Sequence, residues 1–229
     1  MVPTCLLIRH GRTSANAQGV LAGCSPGVHL DEKGREQAQH VAQRLHKVSL
    51  AGIVTSPLER TRQTAEAIEE SQNAAGNRLS VHIDERVIEC DYGQWTGQEL
   101  KKLGKEALWK QVQGHPSSVT FPGGESMRAM QHRAIEAIRQ WNDEFGEKAT
   151  YAVVSHGDVI KAIVADALGI HLDHFQRIAV DPGSLSIIEY TSARPYVIRT
   201  NDTGSDTSFL HKRRRKRSTD AAVGGGSGR

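Results

Sequence analysis

Two hydrophobic periods alternate along most of the chain. Short apolar runs fall at residues 4–8, 50–56 ("LAGIVTS"), 79–84 ("LSVHID"), 150–155 ("TYAVVS"), 184–190 ("SLSIIEY") and 196–200 ("YVIRT"). Runs of this length bounded by polar residues read as strands. Between them lie amphipathic segments with a helical period. "DEKGREQAQHVAQRLHKV" (31–48) is opened by Asp31 as a cap, and "PLERTRQTAEAIEES" (57–71) carries Pro57 near its first turn. "ELKKLGKEALWKQV" (99–112) and "ESMRAMQHRAIEAIRQWNDEFG" (125–146) are mainly helical, and "DVIKAIVADALG" (158–169) is a further helix. Strands alternating with long helices predict an α/β fold in three layers, a mostly parallel sheet with helices on both faces. With no internal repeat and no linker before residue 203, one domain is expected over residues 1–202.

Composition changes the picture only at the end of the chain. The 229 residues carry a net charge of +3. Residues 203–229 hold seven Lys/Arg against two Asp, a net of +5, so the body is −2. This polar, Gly/Ser-rich stretch is expected to be a disordered basic tail. Its run "KRRRKR" (212–217) reads first as solvated, with weak contact to nucleic acid or anionic lipid as the alternative. No apolar run approaches the ~20 residues that span a bilayer. Arg9 interrupts the first apolar run after four residues, so no signal peptide is expected. Cys5, Cys24 and Cys90 are odd in number and in no metal-type spacing, which fits free thiols in a reducing cytoplasm. H-E-x-x-H and C-x-x-C are absent, so neither a metal nor another cofactor is expected. The oligomeric state stays open, a homodimer included.

In open α/β sheets ligands bind beyond the carboxyl ends of the strands. After 4–8 come Arg9-His10-Gly11-Arg12; after 50–56 come Pro-Leu-Glu and then Arg60. The strand at 79–84 leads into "ERVIECDYGQWTG", rich in carboxylates, and 150–155 into His156-Gly157-Asp158. One strand-end histidine is more often structural; four chemically compatible strand ends are hard to assign to packing. The chemistry they suit is phosphoryl transfer. Arginine's planar fork matches phosphate bidentately. Imidazole can attack phosphorus and form a covalent phosphohistidine. Glycine beside each histidine would let phosphate approach the backbone. A protonated carboxyl could supply the leaving oxygen's proton.

The stretches "LIRHGRTSAN", "SPLERTRQTA", "ECDYGQWTG" and "VVSHGD" resemble, in order, motifs of the histidine phosphatase superfamily, in its phosphoglycerate-mutase-like branch. The resemblance spans about residues 4–200, and "FPGGES" (121–126) is similar to that family's glycine-rich loop before a long helix. "VLAGCSPGVHLDEKGREQA", "HPSSVTFPGGE" and "SHGDVIKAIVADALGIHLDHFQRIAVDPGS" resemble an actinobacterial subgroup of phosphomutases and histidine phosphatases. The resemblance implies that His10 is the nucleophile and that Arg9 and Arg60 clamp phosphate. It implies that His156 completes the pocket, that Asn16 and Thr13 belong to the phosphate-binding R-H-G-x-T-x-x-N motif with Gly11, and that Glu89 is the acid. Asp91 and Glu85 are its nearest rivals.

The remaining candidates read more plainly. His40, His46, His115, His132 and His211 are expected on the surface, and Trp95 and Trp109 in packing. His29 and Cys24 lie in a loop that either overhangs the pocket or merely connects. Arg12 either faces substrate or forms a surface ion pair. A phosphomonoesterase acting on a small phosphorylated metabolite is the leading function. A mutase is the first alternative, and a non-enzymatic binder of phospho-ligands the second. The mutases of the family imply a longer insertion after the acid and extra cations gripping a carboxylate. Here residues 95–121 are short and hold no arginine.

Overall fold

The computed structural model describes residues 2–204 and 223–226. Four parallel strands make up one side of a six-stranded sheet, with β3 at its edge: β1 (Thr4–Arg9), β2 (Gly52–Thr55), β3 (Ser80–Ile83) and β4 (Thr150–Ser155). With β5 (Leu185–Tyr190) and β6 (Pro195–Asp202) the order is β3-β2-β4-β1-β5-β6. β5 runs antiparallel to both β1 and β6, so the sheet is mostly parallel, as expected.

The inner strands β1, β2 and β4 are buried on both faces, which explains their near-continuous apolar runs. In β1, Leu6 and Ile8 point to one core with Val41 and Ile68. Cys5 and Leu7 point to the other, with Ile138 and Ile163. The first core is capped by α2 (Glu32–Leu45) and α3 (Glu59–Ala74), the second by α6 (Met127–Phe145) and α7 (Gly157–Ala167). Those three layers are the ones the pattern predicts.

Local chemistry sets the element ends. Asp31 caps α2 by accepting from Gly34 N, and Ser126 caps α6 by accepting from Ala129 N. α6 ends at Gly146, whose positive φ of 85° is open to glycine and strained for other residues. Pro57 stands just before its helix: Leu58 is the cap and α3 begins at Glu59. A short helix that the pattern does not predict, α1 (Ser14–Gln18), follows β1. It is too short for a hydrophobic period and rests on a capping box between Thr13 and Asn16. The stretch expected to be helical at 99–112 is two pieces, α4 (Leu100–Leu103) and α5 (Ala107–Gly114), with Gly104 capping the first.

Residues 203–229 were expected to lie outside the domain as one disordered tail. Residues 223–226 lie against the domain, and Val223 is only 2% exposed. A single valine among glycines gives no period to read, so its burial is invisible to pattern. The basic run 212–217 and His211 lie outside the described residues.

Candidate active site

Parallel register assembles the centre. Arg9 pairs with Ser155, and His10 N donates to Ser155 O at 3.0 Å, so His10 and His156 leave adjacent strands side by side. Their rings sit edge to face with centroids 5.2 Å apart. Ser56 N donates to Val154 O, setting the end of β2 beside the end of β4, and the Ser56 hydroxyl lies 2.7 Å from His156 Nε2. Arg60 follows in the first turn of α3. From β3 the chain passes through a 3₁₀ turn, Glu85–Val87, pinned to β4 by Ser155 Oγ donating to Val87 O at 2.7 Å. Glu89 comes next.

His10, Thr13, Asn16, Arg60 and Glu89 line one cavity, of about 20 Å³, roughly the room for one water. His10 is buried, with Nδ1 2.7 Å from Gly11 O. A carbonyl only accepts, so Nδ1 carries the proton and Nε2 keeps its lone pair. Burial first, then the Arg60 and Arg9 charges, push the His10 pKa well below its usual value, so the ring is neutral at neutral pH. His156 is held down in the same way by burial and Arg60, and its Nδ1 is buried without a hydrogen-bond partner among the described residues. Arg60 donates from Nη2 to Gly23 O at 2.6 Å, while its buried Nη1 has no partner among the described residues. Arg9 donates from Nη1 to Val180 O at 2.9 Å and from Nη2 to Gly224 O and Gly226 O at 3.1 and 2.7 Å. The C-terminal segment therefore holds one guanidinium nitrogen of the expected clamp, and Val223, Gly224 and Gly226 form part of the cavity wall.

Glu89 is 4% exposed and accepts from Cys90 N at 3.0 Å. Burial, followed by the negative charge of Asp158, pushes its carboxyl up to about 7, against the pull of Cys90 N–H, Arg60 and Arg9. A carboxyl in that range is still partly protonated at neutral pH and can give a proton away. Its two rivals lie elsewhere: Glu85 is exposed in the 3₁₀ turn, and exposed Asp91 accepts from Gly93 N to form the following turn.

Gly11 carries a packing requirement that the sequence did not show. A Cβ there would strike the backbone of Gly34 in the first turn of α2, so the close packing of that helix also requires glycine at this position. Arg12 donates to Asp31 at 2.8 Å, the ion-pair reading of that residue. Of the loop candidates, Cys24 donates to Glu89 O at 3.2 Å, and His29 pairs with Gln63. Trp95 and Trp109 stack in the core.

Sequence reading left three contributors unassigned. Asp158, fully buried, accepts from Tyr92 Oη and from Gly224 N, each at 2.9 Å, and pairs with Lys161 at 3.3 Å. "HGD" marked its position, but nothing local said that it would face Tyr92, 66 residues away. Arg133 and the segment at 223–226 carried no local signal at all. Among the described residues no group of three or more His, Cys, Asp or Glu could hold a metal ion, and no helix is long and apolar enough to cross a membrane.

A histidine with a free Nε2, two buried guanidiniums and a buried carboxyl at the carboxyl edge of a parallel sheet define a site of the phosphoryl-transfer class. The chain belongs to the histidine phosphatase superfamily (branch 1), whose family model matches residues 5–203. It is 33% identical over 207 residues to phosphoserine phosphatase 1 of Hydrogenobacter thermophilus, covering 86% of this chain and 92% of that one. It is 34% identical over 211 residues to a Cronobacter sakazakii protein named probable phosphoglycerate mutase GpmB, covering 89% and 93%. Among solved structures, Bacillus stearothermophilus YhfR superposes with a TM-score of 0.80 at 29% identity, over 88% of this chain and 98% of that one.

Proposed function

We propose that the protein is a phosphomonoester hydrolase that passes the phosphoryl group through His10. The observation that carries this reading is the His10 Nδ1–Gly11 O bond, which leaves Nε2 unprotonated inside the cavity. Nε2 attacks phosphorus as the ester oxygen departs, and Glu89 gives that oxygen its proton. Water then attacks the phosphohistidine, returning its proton to Glu89. Arg60 Nη1, buried and unspent, meets one phosphoryl oxygen. Arg9 Nη2 meets another once the Gly224 and Gly226 carbonyls yield their place. With the Ser56 hydroxyl donating to His156 Nε2, the proton on Nδ1 faces the transferred group. The two arginines offset the dianion's charge.

Thr13 and Asn16 shape the mouth. The Asn16 side-chain carbonyl accepts from Thr13 N and Oγ1, which leaves its amide N–H groups for the substrate. Val20, Leu21, Ala22 and Leu100 make the wall apolar. Among the described residues Arg60 is the one cationic side chain lining the cavity, which favours hydrolysis of a small phosphorylated metabolite over a mutase's grip on a carboxylate. The mutase reading draws its support from Val223–Gly226, which narrows the water-accessible space, and from the name of the Cronobacter relative. Three free thiols support a reducing, cytoplasmic setting.

The test is phosphate release from sugar phosphates, phosphoglycerates, nucleotides and phosphopeptides with EDTA present. Release unchanged by EDTA, and lost together with acid-labile protein labelling in His10→Ala, is the expected result. Labelling that survives in His10→Ala sinks the assignment. Positional transfer of phosphate without net release makes the protein a mutase.

A further inference from the structure

The proposed acid lies in a loop without regular structure, yet its backbone is tightly held. The holder is Arg133, on α6 and outside the cavity lining. Its Nη1 donates to Arg86 O and Ile88 O at 2.7 and 2.8 Å. Nη2 donates to Glu89 O at 3.0 Å and to Glu125 Oε1 at 2.6 Å, and Nε donates to Glu125 Oε2 at 3.1 Å. All five guanidinium donors are thus spent, three on carbonyls at or just before Glu89 and two on one carboxylate. Glu125 extends the clamp: its Oε1 accepts from Asp91 N, and its own N donates to Asp91 O, each at 2.9 Å. Gly124 of "FPGGES" and Gly93 of the acid loop let the two loops touch. A Cβ on Gly124 would strike Asp91 O, and one on Gly93 would strike Pro122 O.

We propose that Arg133, braced by Glu125, is a positioning residue for the proposed general acid: it fixes the carbonyls of residues 86, 88 and 89 so that the Glu89 carboxyl meets the leaving oxygen. The inference rests on Glu89 being that acid. Proton transfer needs heavy atoms within hydrogen-bond reach, and a misplacement of 1 Å can cost about a hundredfold. Arg133 touches neither His10 nor the arginine clamp, so its loss weakens protonation and spares phosphate binding.

The experiment compares an alkyl phosphate with p-nitrophenyl phosphate, whose phenolate leaves without a proton. In Arg133→Ala, kcat on the alkyl ester is expected to fall roughly 10–100-fold, with KM and p-nitrophenyl phosphate turnover within about threefold. Arg133→Lys restores part of the loss. In a Glu89→Gln background Arg133→Ala adds no further split between the esters, because the group it positions is gone. Glu125→Gln leaves the three carbonyl bonds in place and shows a weaker form of the same split, which keeps the test open if Arg133→Ala does not fold. If Glu89→Gln slows both esters alike, Glu89 is not the acid and the inference falls with that reading. If Glu89→Gln splits the esters while the Arg133 and Glu125 variants slow both equally, or slow neither, the positioning role alone is overturned.

Discussion

At the scale of single residues, two buried titratable groups set the pH behaviour. His10 is neutral well below its ordinary pKa, so acid does not disarm the nucleophile until the pH is far under 6.5. Glu89 must be protonated to act, and its carboxyl is pushed up to about 7. We expect kcat/KM for alkyl phosphates to be flat through mildly acidic pH and to fall above about 7, with Glu89→Gln abolishing that limb. The same shift has a stability consequence. A carboxyl raised from 4.5 to about 7 on folding favours the native state fully only below pH 4.5, and that advantage is lost as pH rises through 7. Glu89→Gln should therefore melt higher than the wild-type protein, with a gain that grows from pH 4.5 to 7 and then levels. A melting difference independent of pH would show that Glu89 is not raised. Legibility at this scale was uneven. Arg9, His10, Arg60 and His156 could be picked out because each stands at a strand end that pattern locates. Among three nearby carboxylates pattern alone made no choice, because the side chain that faces the cavity depends on a turn held from 44 residues further along the chain; the family resemblance pointed to Glu89.

At the scale of elements, the strand-end motif is wedged against the first turn of α2. Gly11 and Gly34 face each other with no room for a side chain: a Cβ on Gly34 would strike the backbone of Arg12. Gly34→Ala should destabilise the domain by about 1–3 kcal/mol, the range of overpacking, read as a lower urea midpoint with unchanged slope. It should also weaken phosphate binding, since Arg12 and Thr13 cannot move without displacing His10. A midpoint equal to wild type would mean that this contact gives way freely. Element type and order followed from sequence because strand and helix write different periods. Two boundaries moved for local reasons that a period does not record, the Leu58 cap after Pro57 and the Thr13–Asn16 capping box.

At the scale of the whole molecule, the chain's end reaches back to its beginning. Gly224 and Gly226 accept from Arg9 more than 200 residues away, and Val223 packs in the core with Leu21 and Tyr92. Removing a disordered tail, the reading the sequence of 203–229 suggests, would be silent for small substrates. The buried valine changes that expectation. A chain ending at Asp202 should keep its fold, losing the burial of one valine, about 1.5 kcal/mol, together with the segment's hydrogen bonds to Arg9 and Asp158. It should bind inorganic phosphate several-fold more tightly in competition assays, because the carbonyls on Arg9 are gone. Equal inhibition constants in the long and short chains would show that the segment does not compete for the clamp.

What the sequence determined by itself is what local rules encode: a mostly parallel sheet with helices on both faces, and cations and histidines at the strand ends. Only the tertiary structure decided the rest. It raised the Glu89 carboxyl by burial and the charge of Asp158, spent Arg133 on the acid loop, and brought Val223–Gly226 onto Arg9. Each of those choices turns on a contact between residues far apart in the chain, with one partner often a backbone carbonyl. Every residue has such a carbonyl, so it leaves no mark in the sequence.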